Sequence, residues 1–218
     1  MANRSTTGFG LKAAMRLGNT ASIQGQSKYA IKTALGVGIF KGNPASIQTA
    51  GDTGFIQDSG FSTTDDGKDG GIDFTTANDS LLVGVHNGVF FIDNTTKKPT
   101  FANSVAASTA FGTNPNTGST NGIAFVNDDP HQEYIVKTDA ACGQALFGLV
   151  GNMNDFDGTG KDGASNTTFD TGTQAETGMF RIVRSAEDPD NEDLTAAGAN
   201  IVVVMNSAAN HYINGRDA

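Results

Sequence analysis

The stretch LLVGVHNGVFFID, residues 81–93, contains two short apolar runs separated by a single Asn-Gly dipeptide. The runs carry valine, isoleucine and phenylalanine, the residues that fit best on the pleated surface of a β-strand. Asn-Gly tolerates the positive φ angles of a type I′ turn, the commonest two-residue connection in a β-hairpin. The stretch therefore predicts a hairpin whose strands run over residues 80–86 and 88–93.

Similar short runs recur along the chain between glycine, asparagine and aspartate residues. Their length and composition are typical of strands, and no clear helical period separates them. Some, such as IVVVM at residues 201–205, are continuously apolar, which indicates strands covered on both faces. The predicted fold class is all-β, a small β-barrel or sandwich domain with long polar loops. The other predicted strands cover residues 28–33, 35–41, 122–127, 133–138, 144–150, 178–184 and 200–206, with room for short helical turns at 104–111 and 193–199.

The first 27 residues hold neither a helical nor a strand period. Their larger apolar residues stand apart between glycines and polar residues: Phe9, Leu11, Met15, Leu17 and Ile23. Such a segment has no face with which to build a core, so we expect an extended N-terminal arm over residues 1–27 that inserts these side chains elsewhere; a frayed terminus is the alternative. Residues 28–218 then form the β-barrel-like domain, with loop excursions near residues 51–78 and 152–177.

Composition and charge narrow the function classes. The formal net charge of −9 is spread over 218 residues, and no run of Lys and Arg is present to neutralise phosphates, so we expect no direct nucleic-acid binding. No apolar stretch of roughly 18 residues is present and the N-terminus lacks an apolar h-region, so we expect neither a membrane span nor a signal peptide. Cys142 is the only cysteine and is interpreted as a buried, inert thiol.

The motifs for metals and cofactors are incomplete. NMNDFDGTGKDG, residues 152–163, resembles a calcium loop, but the EF-hand register that puts Gly158 sixth puts Met153 first and Ala164 twelfth, where ligands are required. TTDDGKDGG, residues 63–71, fails in the same way; a loose calcium site in either loop stays open as an alternative. The Gly-x-Gly-x-x-Gly match in GTGKDG lacks the strand before it and the helix after it that a dinucleotide site needs. The sequence therefore predicts no metal and no cofactor.

The stretch FVNDDPHQEY places Asp128, Asp129, His131 and Glu133 within six positions. These side chains suggest an acid–base or metal cluster, in which the imidazole would act as a general base. A polar turn between two strands explains the same residues without chemistry, because aspartate accepts backbone hydrogen bonds and proline fixes φ. We therefore interpret Asp-Asp-Pro as a structural turn and predict no catalytic residue.

Several motifs occur in a recognisable order along the chain. They are TTGFGLKAAMRLGN, LLVGVHNGVFFIDNTTKKP, AFVNDDPHQEYIVKTDA, DPDNED and NIVVVMNSAANHY, which together extend from Thr6 to Tyr212. In this order the sequence resembles the capsid decoration, or cement, proteins of tailed bacteriophages, especially those of marine phages.

The resemblance implies a β-barrel or β-tulip-like structural virion protein rather than an enzyme. Such a protein is made in the bacterial host cytoplasm, binds the outer surface of the assembled head and bridges major capsid protein subunits, often as a trimer. The arm is then expected to supply the capsid-binding residues: Phe9, Leu11, Met15, Arg16 and Leu17. The alternative is a head-fibre or tail-associated virion module that binds a glycan through the polar loops and through Phe156 and Phe169.

Overall fold

The computed structural model describes residues 3–18, 21–22, 25–48, 54–58, 82–154, 161–174 and 178–214. The strands in this part of the chain are β1 (Lys12–Arg16), β2 (Ser27–Ile31), β3 (Ile39–Phe40), β4 (Pro44–Ile47), β5 (Ile56–Asp58), β6 (Leu82–Ile92), β7 (Pro99–Ala102), β8 (Ser104–Val105), β9 (Gly122–Asn127), β10 (Gln132–Lys137), β11 (Val150–Asn154), β12 (Thr168–Gln174), β13 (Phe180–Ser185) and β14 (Asn200–Met205). The helical elements described are the 3₁₀ turns Gln144–Leu146, Lys161–Gly163 and Ser207–Ala209, and the short helix α1 (His211–Asn214).

The strands form two six-stranded antiparallel sheets and one two-stranded sheet. In the first sheet the order is β1-β10-β14-β13-β11-β12, and in the second it is β2-β9-β6-β4-β5, with β7 also paired to β6. The third sheet pairs β3 with β8. The predicted all-β fold class is confirmed; the described strands do not close into a barrel, and the architecture is sandwich-like.

Each large sheet has its own cluster of buried side chains. The cluster of the first sheet is centred on Tyr134, Phe169 and Phe180, and that of the second on inward-facing residues such as Val89 and Val126. The first cluster also contains residues of β6, a strand of the second sheet, so this strand packs against both cores. Burial of this apolar surface, at about 25 cal/mol per Å², is the main favourable term for the fold.

Strand β14 carries the continuous apolar run IVVVM between β10 and β13, and all of its residues are buried. Val202 and Val204 lie on the face opposite the cluster of the first sheet. They are covered by an ion pair, since Glu133 of β10 lies opposite Val204 and Arg184 of β13 lies opposite Val202. The guanidinium donates two hydrogen bonds to the carboxylate, at 2.9 and 2.7 Å, across β14. The sequence prediction that this run is covered on both faces is therefore confirmed.

The predicted hairpin at residues 80–93 is wrong, because β6 continues through the Asn-Gly dipeptide. On the neighbouring β9, His86 lies opposite Val126 and Gly88 lies opposite Phe125, which leaves Asn87 as the extra residue of a β-bulge. Gly88 has a φ of 141°, which explains the glycine without a chain reversal. Asn-Gly thus bends a long strand here instead of ending it.

Several other predictions of strands, helical turns and loops, made from local composition, differ from the structure. The predicted strand 144–150 is a 3₁₀ turn followed by β11, and in 35–41 only Ile39–Phe40 is a strand. The segments 104–111 and 193–199 form turns and the short β8 rather than helical turns. The predicted loop 152–177 contains β12, whose single large apolar residue, Phe169, is fully buried. The predicted loop 51–78 contains β5, and its residues 51–53 and 59–78 lie outside the described residues.

Candidate interaction surface

The four candidate acid–base residues of FVNDDPHQEY, Asp128, Asp129, His131 and Glu133, do not form one group. Asp128 accepts a hydrogen bond from the Tyr29 hydroxyl at 2.8 Å, and Asp129 pairs with Arg16 at 2.6 Å. Glu133 pairs with the guanidinium of Arg184 across β14, and His131 is exposed. The predicted turn is confirmed: the Asp129 carbonyl accepts from the Gln132 amide, and the turn carries the chain from the second sheet to the first. Among the described residues no carboxylate is hydrogen-bonded to the His131 imidazole, so the four side chains do not form the acid–base cluster that their spacing suggests.

The remaining candidates for chemistry are also isolated. Within the described ranges, no group of three or more His, Cys, Asp or Glu side chains is placed to hold a metal ion. Cys142 is fully buried, and burial raises the pKa of its thiol to about 11, so the reactive thiolate is disfavoured at neutral pH. The candidate calcium loop 63–71 lies outside the described residues, as do residues 155–160 of the candidate loop 152–163.

The N-terminal segment, predicted as an extended arm that inserts its side chains elsewhere, lies largely against its own domain. Leu11 is 4% exposed and belongs to the cluster of the first sheet, so it is not available to a partner. Its residues 12–16 form the edge strand β1, paired with β10. Near the terminus, the Asn3 side-chain amide donates to the carbonyls of Asp193 and Ala197 at 3.0 and 2.9 Å.

Of the other four predicted arm residues, two make contacts within the chain and two are accessible to solvent. Arg16 is used in the ion pair with Asp129, and Phe9 is partly buried with the Lys12 ammonium 4.1 Å from its ring centroid. Met15 in the edge strand β1 and Leu17 directly after it are each 48% exposed. The structure therefore reduces the predicted contact set of the arm to these two side chains.

A row of apolar side chains crosses the outer face of the second sheet. Ala30 of β2 lies opposite Ile123 of β9, Ile123 lies opposite Phe90 of β6, and Phe90 lies opposite Phe101 of β7. Their neighbours along the strands are buried or packed against the second cluster, among them Val89, Ala102 and Ala124, so the four residues point away from the core of the sheet. Phe101 is 73% exposed, and we call these four residues the apolar row.

Aromatic contacts order the outer end of the apolar row. The Phe101 ring centroid is 4.7 Å from that of Phe90 and 6.2 Å from that of Phe125, which lies next to the row on β9. A hollow of about 440 Å³ beside these rings is also lined by Asn87 and Asn103, and none of the described residues that line it is charged. The apolar row is thus uncharged, on a chain whose formal net charge is −9, and exposed Lys28 of β2 lies opposite Phe125 beside it.

Sequence reasoning missed the apolar row because its members are far apart in the chain. The strands that contribute them were predicted in part, but β7 was not, and β6 was divided into two. The adjacent Phe90 and Phe91 gave one usable signal, since neighbouring residues of a strand point to opposite faces and one of the two had to face outward. Which residues lie beside it depends on strand pairing, which the sequence does not state.

Searches against protein-family models, curated proteins and solved structures give no match. No helix within the described residues is long and apolar enough to cross a membrane.

Proposed function

We propose that the protein is a structural virion component that binds the outer surface of an assembled phage capsid and stabilises it by bridging major capsid protein subunits. The apolar row is the observation that carries this proposal. Contiguous apolar surface on the solvent side of a sheet is typical of protein–protein contacts. The order of sequence motifs that resembles phage decoration proteins supplies the identity of the partner.

Bridging requires two contacts on different parts of the molecule. The apolar row lies on the second sheet, whereas Met15 and Leu17 lie at the edge of the first. The outer side of β1 also offers backbone groups to an added strand, because among the described strands only β10 pairs with β1. In the proposal one capsid subunit packs on the apolar row and a neighbouring subunit contacts β1, with the decoration protein arranged as a homotrimer.

The proposal is tested by adding the purified protein to heads assembled without it. Phe101→Ala is expected to weaken binding at least about tenfold, because truncating an aromatic anchor at an interface costs about 2 kcal/mol or more. The free energy of unfolding should change by less than about 0.5 kcal/mol, since an exposed side chain makes few contacts in the folded chain. Head binding is measured by co-sedimentation, and the particles are imaged by electron microscopy.

Leu149→Ala is the matched control, because Leu149 is another exposed large apolar residue, 44% accessible, outside the apolar row. It should bind heads like the unmodified protein. Equal binding by Phe101→Ala would remove the apolar row from the mechanism. Failure of the unmodified protein to bind heads would overturn the proposed function itself.

A second candidate function is a glycan-binding module of a head fibre or tail. The hollow beside Phe101 and Phe125 favours it, because aromatic rings with neutral amides at Asn87 and Asn103 match the apolar faces and hydroxyls of a sugar. Electron microscopy separates the two functions: cement density covers the head lattice, whereas fibre or tail density projects from a few positions.

A further inference from the structure

A recess of about 280 Å³ lies between the start of β1 and strands β6 and β9. One wall is formed by Phe9, Leu11 and Lys12 of the N-terminal segment, and another by Lys41. Its inner side is formed by residues of the second sheet, among them Asn127 at the end of β9. None of the four residues of the apolar row lines the recess, although Asn87 lines both the recess and the hollow beside Phe101. The recess combines an apolar wall with polar groups, as small-molecule sites do.

The charge of the recess is opposite to that of the chain. Lys12 and Lys41 line it, and none of the described residues that line it is an aspartate or a glutamate. A third ammonium, that of Lys137, lies 5.6 Å from the Phe9 ring centroid, on which Lys12 also sits at 4.1 Å. Lys137 donates to Asn191 and to the Gly198 carbonyl, so it contributes charge to this region while its donors are used elsewhere.

Lys12 and Lys137 repel each other, but this is the smallest of three effects on the pKa of Lys137. Burial lowers this pKa most, the attraction of Asp188 opposes the lowering, and Lys12 adds a smaller lowering. An anion bound beside Lys12 would relieve the repulsion between the two ammonium groups.

Two polar atoms of the lining residues have no hydrogen-bond partner among the described residues. They are Oδ1 of Asn127, whose residue is 5% exposed, and Nδ1 of His86, whose residue is 1% exposed. The other ring nitrogen of His86, Nε2, is 3.2 Å from the Gln57 carbonyl and donates to it, so Nδ1 of this neutral ring is an acceptor. Buried acceptors without a donor are unfavourable, and a ligand that carries a hydroxyl would match them.

We propose that this recess binds a small organic anion. The phosphate or carboxylate group lies between Lys12 and Lys41, and the apolar body packs against Phe9 and Leu11. A hydroxyl on the ligand reaches the amide of Asn127. This site is independent of the capsid-binding function, and neither proposal requires the other.

The test uses three probes. Phenyl phosphate carries both the anionic group and the apolar ring, inorganic phosphate carries only the anionic group, and phenol carries only the ring with a hydroxyl. Each is titrated into the full-length protein at neutral pH and low salt by isothermal titration calorimetry. We expect saturable binding of phenyl phosphate, weaker binding of inorganic phosphate and none of phenol. Lys12→Met and Lys41→Met, which keep an apolar stem, should each weaken phenyl phosphate binding about tenfold, because each removes a charge-assisted contact.

Lys28→Met is the control, because Lys28 is an exposed lysine of β2 outside the recess. It should bind phenyl phosphate like the unmodified protein, and urea denaturation checks that all three variants fold. Absence of saturable binding, or equal weakening in the Lys28 variant, would overturn the proposal. Equal affinity for inorganic phosphate and phenyl phosphate, or for phenol and phenyl phosphate, would contradict the organic-anion assignment.

Discussion

Glu133 shows how one residue can suggest chemistry and serve structure. In the sequence it lies two positions from His131, a spacing that suits an acid–base pair on a strand. In the fold its side chain is 1% exposed and pairs with Arg184, whose pKa is raised by this hydrogen-bonded contact. The carboxylate thus covers the outer face of β14, and the Arg184 guanidinium compensates its buried charge.

Removing that guanidinium should be costly. Arg184→Met leaves the Glu133 carboxylate buried without its partner, and we expect the free energy of unfolding to fall by about 3 kcal/mol, the lower end for a broken buried pair. The lower end applies because the Arg184 side chain is 39% exposed. Urea denaturation measures the change.

The exposed pair of Arg4 with Asp190 provides the comparison for this prediction. Its side chains are 77% and 58% exposed, so Arg4→Met should cost less than about 1 kcal/mol. A loss of similar size in both variants would mean that burial of Glu133 is not what makes its pair important.

His86 gives the fold a pH dependence in the mildly acidic range. Burial lowers the pKa of His86 from 6.5 to about 4. The unfolded chain therefore takes up a proton below pH 6.5 that the folded chain refuses, so stability is full above pH 6.5 and is lost as the pH falls towards 4. The loss is on the order of 3 kcal/mol at pH 4.

This dependence is measured by urea denaturation at a series of pH values. His86→Gln lacks the imidazole and should lose less stability between pH 6.5 and pH 4 than the unmodified protein. His131→Gln, which replaces an exposed imidazole, should keep the full dependence. If the His86 and His131 variants gave the same curve as the unmodified protein, carboxylates rather than His86 would control acid stability.

At the scale of single elements, strand β1 changes the interpretation of the N-terminus. Its segment was predicted to be an arm because its apolar residues follow no period, and the irregularity has a structural cause. The pairing of β1 with β10 shifts register between Ala13 and Arg16, so the alternation of buried and exposed residues is broken within five positions. A bulge hides a strand from pattern analysis in the same way that the bulge in β6 imitated a turn.

Two truncations within this segment separate its two roles. Leu11→Ala removes a core side chain and should lower the free energy of unfolding by about 2–3 kcal/mol, the sum of lost burial and a cavity. Met15→Ala, four residues later and 48% exposed, should change it by less than about 0.5 kcal/mol. Guanidinium denaturation of both variants measures these values. A small effect of Leu11→Ala would instead support an extended arm whose side chains are not part of the core.

Elements with a clear pattern were predicted well, and the reasons are physical. Strand β9 has the predicted bounds, because Gly122 and the polar turn after Asn127 end a run of apolar residues. Strand β12 was missed because TFDTGTQ is polar, and its one large apolar residue does not make a pattern. The strand exists because β11 offers it a pairing edge, a long-range cause that local composition does not contain.

At the scale of the whole molecule, composition was sufficient for the fold class and insufficient for the surface. Many glycines and short β-rich runs predict an all-β domain, since these features act locally on every strand. The apolar row and the basic recess each combine residues from several strands or from both sheets. They arise from strand order, which depends on long-range packing, and so they could not be predicted from one sequence.

The strand order also sets when during synthesis the protein can fold. The second sheet uses β2, β4–β7 and β9, which are complete once residue 127 has left the ribosome. The first sheet joins β1, an early strand, to β10–β14, and Asn3 bonds to residues 190 or more positions later. Strand β1 therefore has no partner until β10 is made, and β10 in turn keeps one edge open until β14 is made. Nascent chains are thus expected to need protection from aggregation until synthesis is nearly finished.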